Sequence, residues 1–188
     1  MAGHEMSLLA ALTVAWGVLY GYVAVYSFAL HGYRPGEREL RPFGIATAGM
    51  MFYALGCAAM ADSGTTADSV RAYQLLTFGG SIAAAGFMHF AYALANRPIG
   101  AAVVTSYALS LLGVIANACG LMFDSSLPAT PHPMLLQGKH VWLLPTPSLA
   151  YMSIGAFSLV MTLRAAWIMR APTASGDRNE RFWLGVTG

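Results

Sequence analysis

Charge is what this chain has least of. Only 10% of its 188 residues are Asp, Glu, Lys or Arg, where an ordinary soluble domain carries about 25%. A normally polar, water-facing surface is excluded for most of the molecule. None of the 8 Asp and Glu residues falls inside a long apolar run. That removes the carboxylate on which intramembrane proton pumps and ion-coupled transporters usually depend. Cysteine is scarce too: the chain has Cys57 and Cys119 alone. Two residues exclude a disulfide scaffold and a thiolate zinc cage. Both sit in apolar runs and read as packing groups; a bridge between them is the lesser alternative. The motifs of soluble catalysis are missing, with no G-x-x-x-x-G-K-[ST], G-x-S-x-G, H-E-x-x-H or C-x-x-C. So is the period-two alternation of membrane barrel strands. A net charge of +2 gives no footing for nucleic-acid binding.

What is present is apolar sequence: 57% of the residues, with a mean hydropathy of +0.57. It falls into five runs, at about 6–30, 43–61, 72–95, 99–123 and 146–169. Each reaches the roughly 20 residues that span a hydrocarbon core as a helix. Peptide groups in lipid must pair internally, so helices are the expected form. The fold class expected is all-α: one polytopic transmembrane helix bundle over 1–188, with five spanning helices and the start of a sixth. The first run is about 25 residues with Glu5 and no basic stretch before it, which argues against a cleaved signal peptide.

The cations orient the bundle. Arg34, Arg38, Arg41, Arg97, Arg164, Arg170, Arg178 and Arg181 fall on one side, and only Arg71 and Lys139 on the other. The positive-inside bias puts the larger set in the cytoplasm. The amino terminus, the 62–71 loop and the 124–145 loop are then external. The 31–42 loop, the 96–98 turn and the linker 170–181 are cytoplasmic. Pro42 and Pro98 stand where the second and fourth helices begin, a position that loses no helical hydrogen bond. Residues 182–188 read as the opening turns of a further helix, with an interfacial tail anchored by Trp183 as the alternative. There is no internal repeat and no low-complexity tract.

Small residues indicate the packing. Gly79, Gly80, Ser81, Ala83, Ala84, Ala85 and Gly86 would let neighbouring backbones approach the third helix, which is expected to be central. Gly17 and Gly21 on the first helix are assigned to packing within the monomer ahead of dimerisation.

Few polar groups interrupt the runs. His89 is the only histidine well inside one. A charged residue at mid-bilayer costs about 2.5–3.5 kcal/mol, so an intramembrane polar group invites a functional reading. First in weight is a neutral imidazole bonded to a neighbouring helix; ligand contact or a proton switch comes second, and a haem or metal ligand last. A second intramembrane histidine for bis-histidine haem is missing. Asn117 reads first as glue between helices. Tyr73, Trp142 and Tyr151 read first as an interfacial aromatic belt. The long 124–145 loop holds several prolines and two apolar patches; it is expected to fold over the outer mouth, with His132, Lys139 and His140 near the rim. Two nitrogens alone make a poor metal site. The candidate ligand pocket is Gln74, His89, Asn117, Trp142 and Tyr151. No catalytic residue, metal site or cofactor is assigned.

The arrangement resembles a family. An outside amino terminus is followed by an Arg-rich first cytoplasmic loop and a tight Asn96-Arg97-Pro98 turn. Then come Gly138-Lys139-His140-Val141-Trp142 before the fifth helix, and Gly176-Asp177-Arg178-Asn179-Glu180-Arg181-Phe182-Trp183-Leu184-Gly185 entering a sixth. With Phe87-Met88-His89-Phe90-Ala91-Tyr92-Ala93, this is similar to the amino-terminal seven-helix sensor region ahead of bacterial histidine kinases and diguanylate cyclases. The resemblance implies a bacterial inner-membrane module, cut after helix five, that detects a small or lipophilic cue and passes it to a cytoplasmic output domain. The seventh helix and the output domain are missing, so this chain is not expected to be an enzyme. Expected partners are the lipid bilayer, a second copy or larger membrane assembly, and a small lipophilic ligand. The alternatives are an accessory subunit of a larger complex, binding pigment, quinone or protein, and, behind it, a transporter or channel.

Overall fold

The computed structural model describes residues 8–124, 130–133 and 141–170. Five helices account for most of them: α1 (Leu8–Tyr33), α2 (Leu40–Ala61), α3 (Thr66–Leu94), α4 (Ala101–Ala118) and α5 (Leu149–Arg170). All five are long and apolar enough to cross a membrane. The protein is an all-α bundle and a multi-pass membrane protein. Its expected cytoplasmic linker beyond Arg170 and its partial sixth helix lie outside the described residues.

Helix ends depart from the apolar runs wherever local chemistry overrides hydropathy. α3 starts at Thr66 rather than 72, because Thr65 is an N-cap: its Oγ1 accepts from the Asp68 amide at 3.2 Å and donates to the Asp68 carboxylate at 2.7 Å. The polar turn 66–71 is helical although not apolar. α4 stops at Ala118 rather than 123. Gly120 takes a left-handed φ of 72°, and the Gly120 and Leu121 amides return to the Asn117 and Ala116 carbonyls. That is a Schellman stop, which a glycine at this position makes cheap. α3 ends the same way on Asn96, at φ 52°, with the Arg97 amide on the Tyr92 carbonyl. α5 starts at Leu149 rather than 146, where the Ser148 hydroxyl accepts from the Tyr151 amide. α2 begins at Leu40, so Pro42 sits in its first turn.

The loop between α4 and α5 is not wholly irregular. β1 (Phe123–Asp124) pairs with β4 (Thr146–Pro147), and β2 (Thr130–Pro133) with β3 (Val141–Leu144), both antiparallel. β3 lies beside α2 and α3. These strands mark one end of the bundle, called the hairpin end below; Arg34, Arg38, Arg41 and Arg97 mark the other, the arginine end.

α3 is the central helix. It packs on α2, α4 and α5, while α1 packs on α2. The α2–α3 seam is made of backbone. A methyl group at Gly49 would strike the Ala83 amide, one at Gly79 the Tyr53 amide, and ones at Gly56 and Gly86 would lie 2.5 Å from the amides of Leu76 and Ala46. The pairs Ala46–Gly86, Gly49–Ala83, Tyr53–Gly79 and Gly56–Leu76 keep one antiparallel register. On α1, Gly17 and Gly21 face Leu55 and Met51 of α2, so they pack within the monomer. At the arginine end Met88, Ala91 and Tyr92 of α3, Val103 of α4, and Met161, Ala165 and Ile168 of α5 form the largest apolar cluster.

The seam makes a sharp prediction. Gly49→Ala or Gly86→Ala should destabilise the bundle by about 1–3 kcal/mol, the usual range for overpacking. Gly155→Ala, where nothing lies within 4 Å of the new methyl, should be neutral. Unfolding in detergent, followed by circular dichroism, measures both. Equal stability of all three variants would contradict the packing described.

Candidate functional site

Two concavities flank α3, and both follow from how its neighbours are held. Tyr151, Ile154, Gly155 and Ser158 recur along α5 at helical spacing, so they share one face. Opposite them stand Leu76, Thr77, Gly80 and Ser81 of α3, and Tyr53 of α2 closes the third side. The cavity between them holds about 280 Å³. Gly80 lies midway along α3, so the cavity reaches the middle of the bundle. Gly155 is exposed, which opens the cavity sideways, toward the face that would meet lipid. The wall is largely apolar. Its polar groups are hydroxyls, from Tyr53, Ser81, Tyr151 and Ser158; the Thr77 hydroxyl already donates to the Tyr73 carbonyl at 2.7 Å.

Tyr151 reaches this cavity through an aromatic relay. Its ring is 5.0 Å from that of Phe123, which is 5.6 Å from the ring of Tyr73. The phenols of Tyr53, Tyr73 and Tyr151 and the Cys57 thiol are close enough to interact electrostatically. Tyr73 and Tyr151 are half-buried, each packed on Phe123. Cys57 and Cys119 are both free thiols, and Cys119 is exposed.

The second concavity lies at the arginine end. It holds about 290 Å³ and is lined by Arg38, His89, Asn96 and Arg97 together with Ala93, Pro98 and Ile99. The His89 ring meets Tyr107 of α4 edge-on, and its Nδ1 lies 3.1 Å from the Tyr107 hydroxyl. Which of the two donates follows the imidazole tautomer.

Of the five residues expected to line one pocket, the four whose side chains are described fall in different places. Gln74 and His89 are fifteen residues apart on one helix, about 22 Å at 1.5 Å per residue. Tyr151 lines the α2–α3–α5 cavity, and His89 the arginine-end one. Asn117 and Gln74 do meet, but as a seam: Asn117 Nδ2 donates to the Gln74 carbonyl at 2.7 Å. The Asn117 side chain is buried, and its Oδ1 has no partner among the described residues. Trp142 stands on β3 with its backbone in register with His132; its side chain lies outside the described residues, as does His140. Among the described residues no group of three or more His, Cys, Asp or Glu could hold a metal ion.

Sequence reading missed Tyr53, Gly80, Ser81, Gly155 and Ser158 as lining residues. Hydroxyls and glycines are common in membrane helices, so none stands out singly. The available signal was the pairing of Gly155 and Ser158 with Tyr151 on one face of α5. Tyr107 was missed as the partner of His89 for the same reason.

No protein-family model, curated protein or solved structure matches this chain.

α4 is held on α3 by side-chain hydrogen bonds from Asn117, Ser110 and Tyr107; the Ser110 hydroxyl donates to the Ser81 carbonyl at 2.7 Å. Interhelical bonds in bilayers average about 0.6 kcal/mol and reach about 1.7. Asn117→Ala should cost up to about 1.7 kcal/mol, because it removes a buried bond. Ser110→Ala should cost nearer the average, about 0.6 kcal/mol. Denaturant titration of the purified chain reads both, and an Asn117→Ala protein as stable as wild type would refute the glue role.

Proposed function

We propose that this chain is a membrane sensor or receptor-like module. It binds a small, mainly apolar molecule between α2, α3 and α5, and α5 carries the signal toward a cytoplasmic output domain. The observation behind the reading is the cavity itself: apolar walls, a few convergent hydroxyls, and an opening to the lipid face. Ligand sites have this composition, and the volume lies just below their usual range of about 300–1,000 Å³, which suits a small molecule. The likeness to the seven-helix sensor region of bacterial kinases and cyclases points the same way. On that reading the arginine end faces the cytoplasm of a bacterial inner membrane, as the positive-inside bias expects.

The mechanism follows from how α5 is attached. Its half near Arg170 is pinned to α3 by Met161, Ala165 and Ile168 and by the Arg164 guanidinium, which donates to the Tyr92 hydroxyl at 3.2 Å. Its other half borders the cavity. A ligand that fits one spacing of α5 from α3 better than another shifts the balance between them, and only a differential affinity can do so. α5 then tilts about its pinned half, and the displacement emerges at Arg170.

The test is the chain purified in native-lipid nanodiscs, with organic extracts analysed by mass spectrometry. Wild type is expected to carry a small apolar molecule with a hydrogen-bonding group. Gly155→Phe, which fills the cavity, is expected to lose it, while circular dichroism and monodispersity stay unchanged. Identical extracts from the two proteins would overturn the proposal.

A further inference from the structure

A second groove lies along a different face of α3, and its two halves differ in chemistry. Near the arginine end, Arg38 from the α1–α2 loop and Arg97 from the α3–α4 turn stand over His89, and Arg41 is close enough to act on His89 electrostatically. Among the described residues Arg38 and Arg97 form no salt bridge; the ion pair there joins Arg34 to Glu37. The Asn96 turn that ends α3 aims the chain so that Arg97 reaches the same concavity. With Nδ1 of His89 engaged by Tyr107, Nε2 is the ring nitrogen left for a ligand.

Farther along, the groove turns apolar. Phe78, Ile82 and Ala85 of α3 face Leu111 and Val114 of α4 across a trough of about 260 Å³. The Ser110 hydroxyl on its wall is already committed to the Ser81 carbonyl. The two halves lie in line along α3. Residues 78, 82, 85 and 89 fall on one stripe of α3, and 107, 111 and 114 on one stripe of α4. Tyr107 stands between them: it lines the trough, and its hydroxyl meets His89. From His89 to Phe78 the stripe runs about 16 Å.

A cationic head in line with an apolar trough is complementary to one kind of molecule. We propose that the α3–α4 groove holds a single anionic phospholipid, with its phosphate on Arg38, Arg97 and His89 and an acyl chain against Ile82 and Leu111. Paired guanidiniums suit phosphate oxygens through charge-assisted bonds. The site is separate from the α2–α3–α5 cavity and does not depend on the sensor reading.

Native mass spectrometry of the purified chain, exchanged into mixed phosphatidylglycerol and phosphatidylcholine, tests it. One phosphatidylglycerol should be retained in preference. The double variant Arg38→Gln/Arg97→Gln should lose that preference by roughly thirtyfold, about fivefold for each arginine at a membrane surface. Both arginines are exposed, so the fold should survive, and circular dichroism checks it. Ile82→Trp, which blocks the trough with all the cations intact, should also release the lipid. Equal retention of the two lipids would overturn the proposal, as would a preference that survives the double variant. Displacement of phosphatidylglycerol by inorganic phosphate alone would overturn it too, since the site would then hold an anion and no lipid. Retention unaffected by Ile82→Trp would place the lipid elsewhere.

Discussion

Backbone contact between α2 and α3 is the constraint from which the rest of the structure follows. Lipid tails are as apolar as leucine, so hydrophobic burial does not drive helices together in a bilayer; close packing does. Gly49, Gly56, Gly79 and Gly86 remove the side chains that would hold these two helices apart. The spacing is seven residues on each helix, two turns of nearly fixed facing, so the glycines of both recur along one seam. Once α2 and α3 are joined, α1 has only the outer face of α2 left, where Gly17 and Gly21 admit Leu55 and Met51. α4 and α5 must share the remaining surface of α3.

That sharing is unequal, and the inequality shapes both concavities. α4 has polar partners along most of its length: Tyr107 on His89, Ser110 on the Ser81 carbonyl, Asn117 on the Gln74 carbonyl. α5 has the Arg164–Tyr92 bond and the apolar cluster, both in the half nearer Arg170. Its other half meets Gly80 and Ser81, which project little, and Gly155 on its own side projects nothing. A gap opens there without any residue having been placed to hold it open. Tyr151 ends at the mouth of the gap because Phe123 and Tyr73 fill the space beyond it.

The spans were legible because hydropathy over some twenty residues is a strong signal. The central place of α3 was legible too, from its run of small residues at 79–86. The helix ends were less so. Thr65 and Asp68, Gly120 and Ser148 each set a boundary by local hydrogen bonding that an apolar run does not register. The glycine seam was present in the sequence as a seven-residue repeat on two helices, whereas the four-residue spacing of Gly17 and Gly21 serves α1. The pocket was the least legible part. Polarity picked out Gln74, His89 and Asn117 from their apolar runs. It could not tell that a helix keeps residues 74 and 89 far apart, or that Asn117 would turn its amide to a main-chain carbonyl. The strand at 130–133 was hidden by Pro131 and Pro133, which ordinarily argue against a sheet and are tolerated in so short a two-stranded ladder, where every strand is an edge.

The same packing limits how any signal could cross the molecule. Coupling between sites needs an element with two discrete arrangements. α3 is a poor candidate: sliding it along α2 would drive Gly49 and Gly79 out of register and force side chains into the space the glycines vacate. α4 is restrained by hydrogen bonds at both ends of its contact with α3. α5 is pinned to α3 in the half near Arg170; its other end is tied to the end of α4, by Ser148 on the Leu121 and Met122 carbonyls and by Tyr151 on Phe123, and that half borders the cavity. On the proposed sensor reading the moving part is therefore α5 and the frame is α2–α3. A lipid in the α3–α4 groove would act differently. Its headgroup would tie the α1–α2 loop to the α3–α4 turn through Arg38 and Arg97, which stiffens the frame at the arginine end without touching the hinge. The two sites would then have opposite mechanical effects, one biasing a tilt and the other fixing the base against which the tilt is measured.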